Sequence, residues 1–152
     1  LKTDPGFAGK LAESGIDIVK KRQDMLNGLY VLAVKSWQAK SYPEAAGFIG
    51  QLEKLLEEER AGSFENLKIS VANLKGISFW SQSQKRLAED AFKKAFYANR
   101  KHPLQRYVLR NIGLLMLANK DRETAIQMFD LALPMKQGFT LLAKEAQLLR
   151  KN

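Results

Sequence analysis

Three segments of the sequence share one spacing of small and bulky side chains, and this spacing restricts the fold more than any other feature. In each segment a small residue is followed twelve positions later by alanine, then by a bulky residue four positions on and an apolar residue three further. Such steps keep side chains on one face of a helix, and small residues that face each other let two antiparallel helices approach closely. The spacing therefore predicts three helical hairpins. The sets are Ala33, Ala45, Ile49 and Leu52; Gly76, Ala88, Phe92 and Ala95; and Gly113, Ala125, Phe129 and Ala132.

Helical periodicity covers nearly the whole chain, and alternating strand-like stretches are missing. We therefore predict an all-α fold in one domain, since 152 residues leave little room for two. Glycine and proline mark the connections between hairpins. The predicted segments are an N-terminal helix (1–25, continuing toward the next helix), hairpins at 26–60, 64–101 and 104–136, and a C-terminal capping helix at 138–150. The first helix of the first hairpin carries a stripe of Leu29, Leu32, Ala33, Ser36 and Trp37.

The three hairpins resemble the tetratricopeptide repeat family, whose unit is a helix–turn–helix of about 34 residues. The match is clearest between Leu109 and Pro134, and the repeat interval is longer than in the family, at 43 and 37 residues between the alanines. The resemblance implies a right-handed α-α superhelix, a solenoid of antiparallel hairpins with a capping helix at each end. The alternative is a generic helical bundle in which nothing repeats.

The resemblance also implies a concave groove lined by the first helix of each hairpin. Amphipathic side chains there make good anchors for a peptide or helix of a partner, although Trp37 and Trp80 are equally well interpreted as packing residues. Carried over by position, the groove residues are Tyr30, Val34, Trp37, Asn73, Ile77, Trp80, Tyr107, Arg110, Leu114 and Leu117.

A second candidate surface is basic. No Asp or Glu occurs from Ala91 through Lys120, although cations are frequent there and alternate with aromatic residues. Such a pattern can hold phosphates and stack bases, but more often it is a solvated helix face that attracts an acidic protein. The basic patch consists of Lys93, Lys94, Arg100, Lys101 and Arg106.

Catalysis is not predicted. The chain has no cysteine and one histidine, His102, which lies beside Pro103 in a predicted loop. No metal-binding motif or phosphate-binding glycine loop is present, and the neighbouring carboxylates of Glu57 to Glu59 point in different directions on a helix. We therefore expect no enzymatic activity, no metal and no cofactor.

These observations favour a noncatalytic interaction or scaffolding module that binds a protein or peptide, including an acidic one. The module would belong to a bacterial signalling or assembly protein. Nucleic-acid binding through the basic stretch 93–110 and self-association as a homo-oligomer are the alternatives. The net charge of +9 does not distinguish an acidic protein from a nucleic acid as the partner. We expect no membrane span and a cytoplasmic location, with the periplasm as the alternative. Because Leu1 is not a methionine, the chain is expected to be a piece of a longer protein.

Overall fold

The computed structural model describes residues 5–135, and this part of the chain is all helical, as predicted. The described residues contain six α-helices and one 3₁₀ turn, and no strand. Residues 1–4 and the predicted capping helix at 138–150 lie outside the described residues. The elements are α1 (Pro5–Gln38), α2 (Tyr42–Glu57), α3 (Glu65–Ser81), α4 (Lys85–Ala98), α5 (Gln105–Ala118), α6 (Arg122–Ala132) and a 3₁₀ turn at Leu133–Met135.

The first helix is continuous across the boundary predicted between the N-terminal helix and the first hairpin. It runs from Pro5 to Gln38 without a break. Its C-terminal half packs against α2, and Arg22 forms an ion pair with Glu59, just past the end of α2. The helix therefore extends beyond its partner on the N-terminal side of Arg22.

Three-residue turns join α1 to α2, α3 to α4 and α5 to α6, and all three have the same geometry. The middle residue of each turn (Lys40, Ser83 or Lys120) has a positive φ between 61° and 64°. In each turn this middle residue donates its N–H to the carbonyl three residues back, and the next residue donates to the carbonyl five residues back. These are the two bonds of the Schellman motif, which satisfies the last carbonyls of a helix. Each pair of helices is thereby fixed as an antiparallel hairpin.

Within a hairpin, the small residue of the first helix faces the bulky residue of the second. A Cβ built at Gly76 would lie 2.5 Å from Cδ1 of Phe92, and one built at Gly113 would lie 3.1 Å from Cζ of Phe129. Both rings are fully buried. The bulky residue thus packs against the glycine of its own hairpin.

The buried side chains form two clusters, and α3 contributes to both. The N-terminal cluster joins α1 and α2 to Leu67, Val71 and Leu74 of α3. The C-terminal cluster joins Ile69 of α3 to α4, α5 and α6. Between hairpins the main contacts are α2 with α3 and α4 with α5, while α1 with α3 and α3 with α5 contact less extensively. Among the first helices, α1 thus contacts α3, and α3 contacts α5.

Candidate protein-binding surface

Polar side chains connect the three first helices to one another. Tyr30 of α1 is hydrogen-bonded to Ser70 of α3, and Trp37 donates its Nε1–H to Ser81 Oγ at the other end of α3, at 3.0 Å. On the same helix, Asn73 accepts a hydrogen bond of 2.9 Å from Asn111 of α5. These contacts hold the helices side by side and define what we call the first-helix face.

None of the ten predicted groove residues is fully buried. Tyr107 is 38% exposed, and the other nine are half-buried. Trp37 packs against the N-terminal cluster and Trp80 against the C-terminal cluster, so each tryptophan has a packing role and an accessible part. The hydrogen bond from Trp37 to Ser81 brings its indole to the end of α3 that carries Trp80.

The first-helix face opens into a cavity at the N-terminal end of α3. The cavity has a volume of about 870 Å³ and lies between α1 and the segment 62–70. Asn27, Tyr30 and Ser70 line it, together with Phe64 and Asn66. Burial raises the pKa of the Tyr30 phenol, and the hydrogen bond with Ser70 opposes part of that rise. The phenol is therefore uncharged at neutral pH, and the wall offers neutral hydrogen-bonding groups and the carboxylate of Glu65 beside an aromatic ring.

The basic patch divides into exposed and buried members. Lys93, Lys94, Arg100 and Lys101 are exposed, and the Arg100 guanidinium lies 4.7 Å from the ring centre of Tyr97. Lys93 is paired with Glu89 at 2.9 Å, and this hydrogen bond raises the pKa of Lys93.

Arg106, by contrast, is only 7% exposed. Its Nη2 donates to Tyr107 Oη at 2.7 Å, and its guanidinium lies 4.4 Å from the Tyr107 ring centre. The structure therefore separates Arg106 from the four accessible cations. Arg110 of the groove set is half-buried.

His102 has a structural position in the loop between α4 and α5. Its Nδ1 accepts the N–H of Leu104 at 3.1 Å, and its Nε2 lies 2.5 Å from Asn66 Oδ1. An acceptor at Nδ1 assigns the hydrogen to Nε2, which donates to Asn66. The ring thus ties the loop to α3, and among the described residues no group of three His, Asp or Glu side chains is placed to hold a metal ion.

Gln105 is a buried polar residue that the sequence pattern did not single out. Its Nε2 donates to the carbonyls of Ala95, Phe96 and Asn99 at 2.8 to 3.2 Å. The side chain thereby satisfies the C-terminal end of α4, which has no Schellman turn. A glutamine at the start of the next helix is too common a feature to predict this from sequence.

Within residues 5–135, no helix combines the length and the apolar composition that crossing a bilayer requires. No protein-family model matches the sequence, and a search of curated proteins finds no relative.

Proposed function

We propose that the chain is a noncatalytic protein-binding module made of three divergent tetratricopeptide-like repeats. The three hairpin turns have the same pattern of backbone hydrogen bonds, which supports a repeated unit. The contact of a buried phenylalanine ring with a glycine, which recurs in the second and third hairpins, supports it as well. In this proposal the hairpins stack as a right-handed superhelix, and the first-helix face is its concave side.

One observation carries the proposed function: ten side chains on three neighbouring helices stay partly accessible, and one of them, Tyr30, lines an open cavity. Four of the ten are aliphatic and four are aromatic, which favours an apolar or amphipathic segment as the occupant. The cavity at Asn27 and Tyr30 would receive one end of that segment. The partner is a peptide or helix of another protein.

The test uses peptides selected from a displayed random library on the full chain. Both tryptophans of the protein belong to the first-helix face, so binding should change their fluorescence emission. Asn27 is exposed and lines the cavity. Replacement of Asn27 by phenylalanine should narrow the cavity and weaken binding of the selected peptides at least about tenfold, equivalent to about 1.4 kcal/mol.

The matched control is Gln127→Phe, which places the same ring at an exposed amide position on α6. This variant should bind as the unchanged protein does, and both variants should melt at similar temperatures. Selection of no peptide, or equal binding by Asn27→Phe and Gln127→Phe, would contradict the groove proposal.

Nucleic-acid binding is a second candidate, favoured by the contact of Arg100 with Tyr97, which is 61% exposed. If Lys93, Lys94, Arg100 and Lys101 contact phosphates, the logarithm of the affinity for single strands should fall with the logarithm of salt concentration with a slope of about −3. Arg100→Ala with Lys101→Ala should remove about half of that slope. Peptide binding in the groove should respond little to salt.

A further inference from the structure

An exposed apolar ridge runs along α1, on a side that the proposed groove does not use. Ile18, Met25 and Leu32 are 67%, 44% and 46% exposed and are spaced seven residues apart, so they lie on one side of the helix. Tyr30 and Trp37, which bond to α3, are about 140° to 160° around the helix from Leu32. The ridge therefore faces away from α3, at the α1 end of the hairpin series.

Helix α2 contributes to the same end of the molecule. Phe48 and Leu55 are half-buried against the N-terminal cluster and are also seven residues apart. Glu53, whose carboxylate binds Lys75 of α3 at 3.0 Å, lies about 140° to 160° around α2 from both of them. Phe48 and Leu55 therefore also face away from α3. We name the surface formed by Met25, Leu29, Leu32, Phe48 and Leu55 the end face.

The ridge continues onto the part of α1 that extends past α2. The described side chains from Gly15 to Lys21 are all exposed, and Ile18 is the most exposed large apolar residue among those described. A helical segment without packing is marginal in water, because most helical stability in proteins comes from an apolar face packed against another element. The seven-residue spacing of the ridge is the spacing that suits packing against another helix.

The geometry points to a second copy of this chain as the occupant, with the two α1 helices antiparallel and related by a two-fold axis near Met25. Ile18 of one copy then lies opposite Leu32 of the other, and Met25 lies opposite its own counterpart. The two α1/α2 hairpins form a four-helix arrangement that buries both end faces. This assembly leaves the first-helix face free, so it stands independently of the proposed groove function.

The placement of Asp17 and Lys35 supports this occupant and this orientation, while Asp24, also exposed on that side of α1, lies near its own counterpart beside the axis. Asp17 and Lys35 are both exposed on α1. In the antiparallel pair, Lys35 of one copy lies within about 3 Å along the axis of Asp17 of the other, since each residue advances the helix by about 1.5 Å. The pair occurs twice by symmetry. A parallel pair would instead bring each charge toward its own counterpart.

The test measures the mass of the full chain in solution by sedimentation equilibrium. The 17.2 kDa chain should reach twice its mass with rising concentration. Leu32→Glu should raise the dissociation constant of the dimer at least about tenfold. Val31→Glu is the matched control, because Val31 is 47% exposed on the same helix but lies about 100° around it. A protein that stays monomeric at about 1 mM, or an equal effect of the two variants, would overturn the proposal.

Orientation is tested with cysteines, since the chain has none of its own. Met25→Cys should form a disulfide-linked dimer under mild oxidation, and a mixture of Ile18→Cys and Leu32→Cys chains should form the mixed dimer in preference to either homodimer. Asp17→Lys should weaken the dimer at least about threefold, and addition of Lys35→Asp should restore it. Preferential homodimers of Ile18→Cys would refute the antiparallel arrangement.

Discussion

At the residue scale, the hairpins depend on paired volumes across each pair of helices. Glycine faces phenylalanine in the second and third hairpins, at Gly76 with Phe92 and at Gly113 with Phe129. In the first hairpin the same positions are Ala33 and Ile49, both buried in the N-terminal cluster. Alanine on α1 is larger than the glycine of the other hairpins, and isoleucine on α2 is smaller than their phenylalanine. The two changes in volume offset each other, as close packing requires.

Gly76→Ala should therefore destabilise the protein by about 1–3 kcal/mol, because the added methyl group would overlap the Phe92 ring. Addition of Phe92→Ile, which reproduces the pair of the first hairpin, should recover part of this loss. Urea unfolding of the two single variants and the double variant measures the coupling. Gly47→Ala is the control: a Cβ there has nothing within 4 Å, and it should stabilise α2 by about 0.5–1 kcal/mol. Additive effects at 76 and 92 would contradict the pairing.

Gln105 provides the second prediction at this scale. Gln105→Met keeps the approximate volume but removes the donor that serves three carbonyls of the α4 end. The loss should be about 1–3 kcal/mol, because buried carbonyls lose their partner. Thermal melting monitored by circular dichroism measures it. Gln127→Met, at an exposed position, should change the melting temperature little, and a similar melting temperature for both variants would argue against the capping role.

At the scale of elements, the three hairpin turns share a conformation that their residues do not favour. Lys40, Ser83 and Lys120 occupy the left-handed region, where a Cβ is costly and glycine is the usual residue. The turns keep this conformation because the packing of the two helices that each turn connects requires it. The repeated geometry is thus imposed by the helices that the turns connect.

Ser83→Gly should stabilise the protein by about 0.5–1 kcal/mol, since glycine adopts the positive φ of this turn without steric cost. The free energy of unfolding in urea is the measurement. Gln82→Gly, one position earlier at a φ of −95°, should not stabilise the protein, because glycine there only increases the conformational entropy of the unfolded chain. If both substitutions destabilised the protein equally, the turn geometry would be refuted.

At the scale of the whole molecule, α3 couples the two buried clusters. Its Ile69 lies in the C-terminal cluster, while Leu67, Val71 and Leu74 lie in the N-terminal one. Neither cluster can lose α3 and remain packed. The described hairpins should therefore unfold together, although each contacts mainly its neighbours.

The two tryptophans report on the two clusters separately. In Trp80→Phe the remaining Trp37 follows the N-terminal cluster, and in Trp37→Phe the remaining Trp80 follows the C-terminal cluster. In each variant the fluorescence midpoint in urea should coincide with the midpoint by circular dichroism. A fluorescence transition separate from the loss of helix in either variant would show that α3 does not couple the clusters.

Local order in the chain was predictable from sequence. Helical periodicity predicted the all-helical fold of the described residues, because 3.6-residue periodicity is a local property of the sequence. The surface on the first helices came from the resemblance to tetratricopeptide repeats; the residues carried over to it are partly accessible in the structure.

Only the tertiary structure decided which side chains of a stripe are covered. Leu32 belongs to the same helical stripe as Ala33, yet Leu32 is 46% exposed and Ala33 is fully buried. Arg106 belongs to a basic run, yet it is buried, and Gln105 caps a helix that precedes it in sequence. Periodicity gives the direction of a side chain around its own helix. Burial depends on which distant elements pack there, and that is a property of the assembled hairpins.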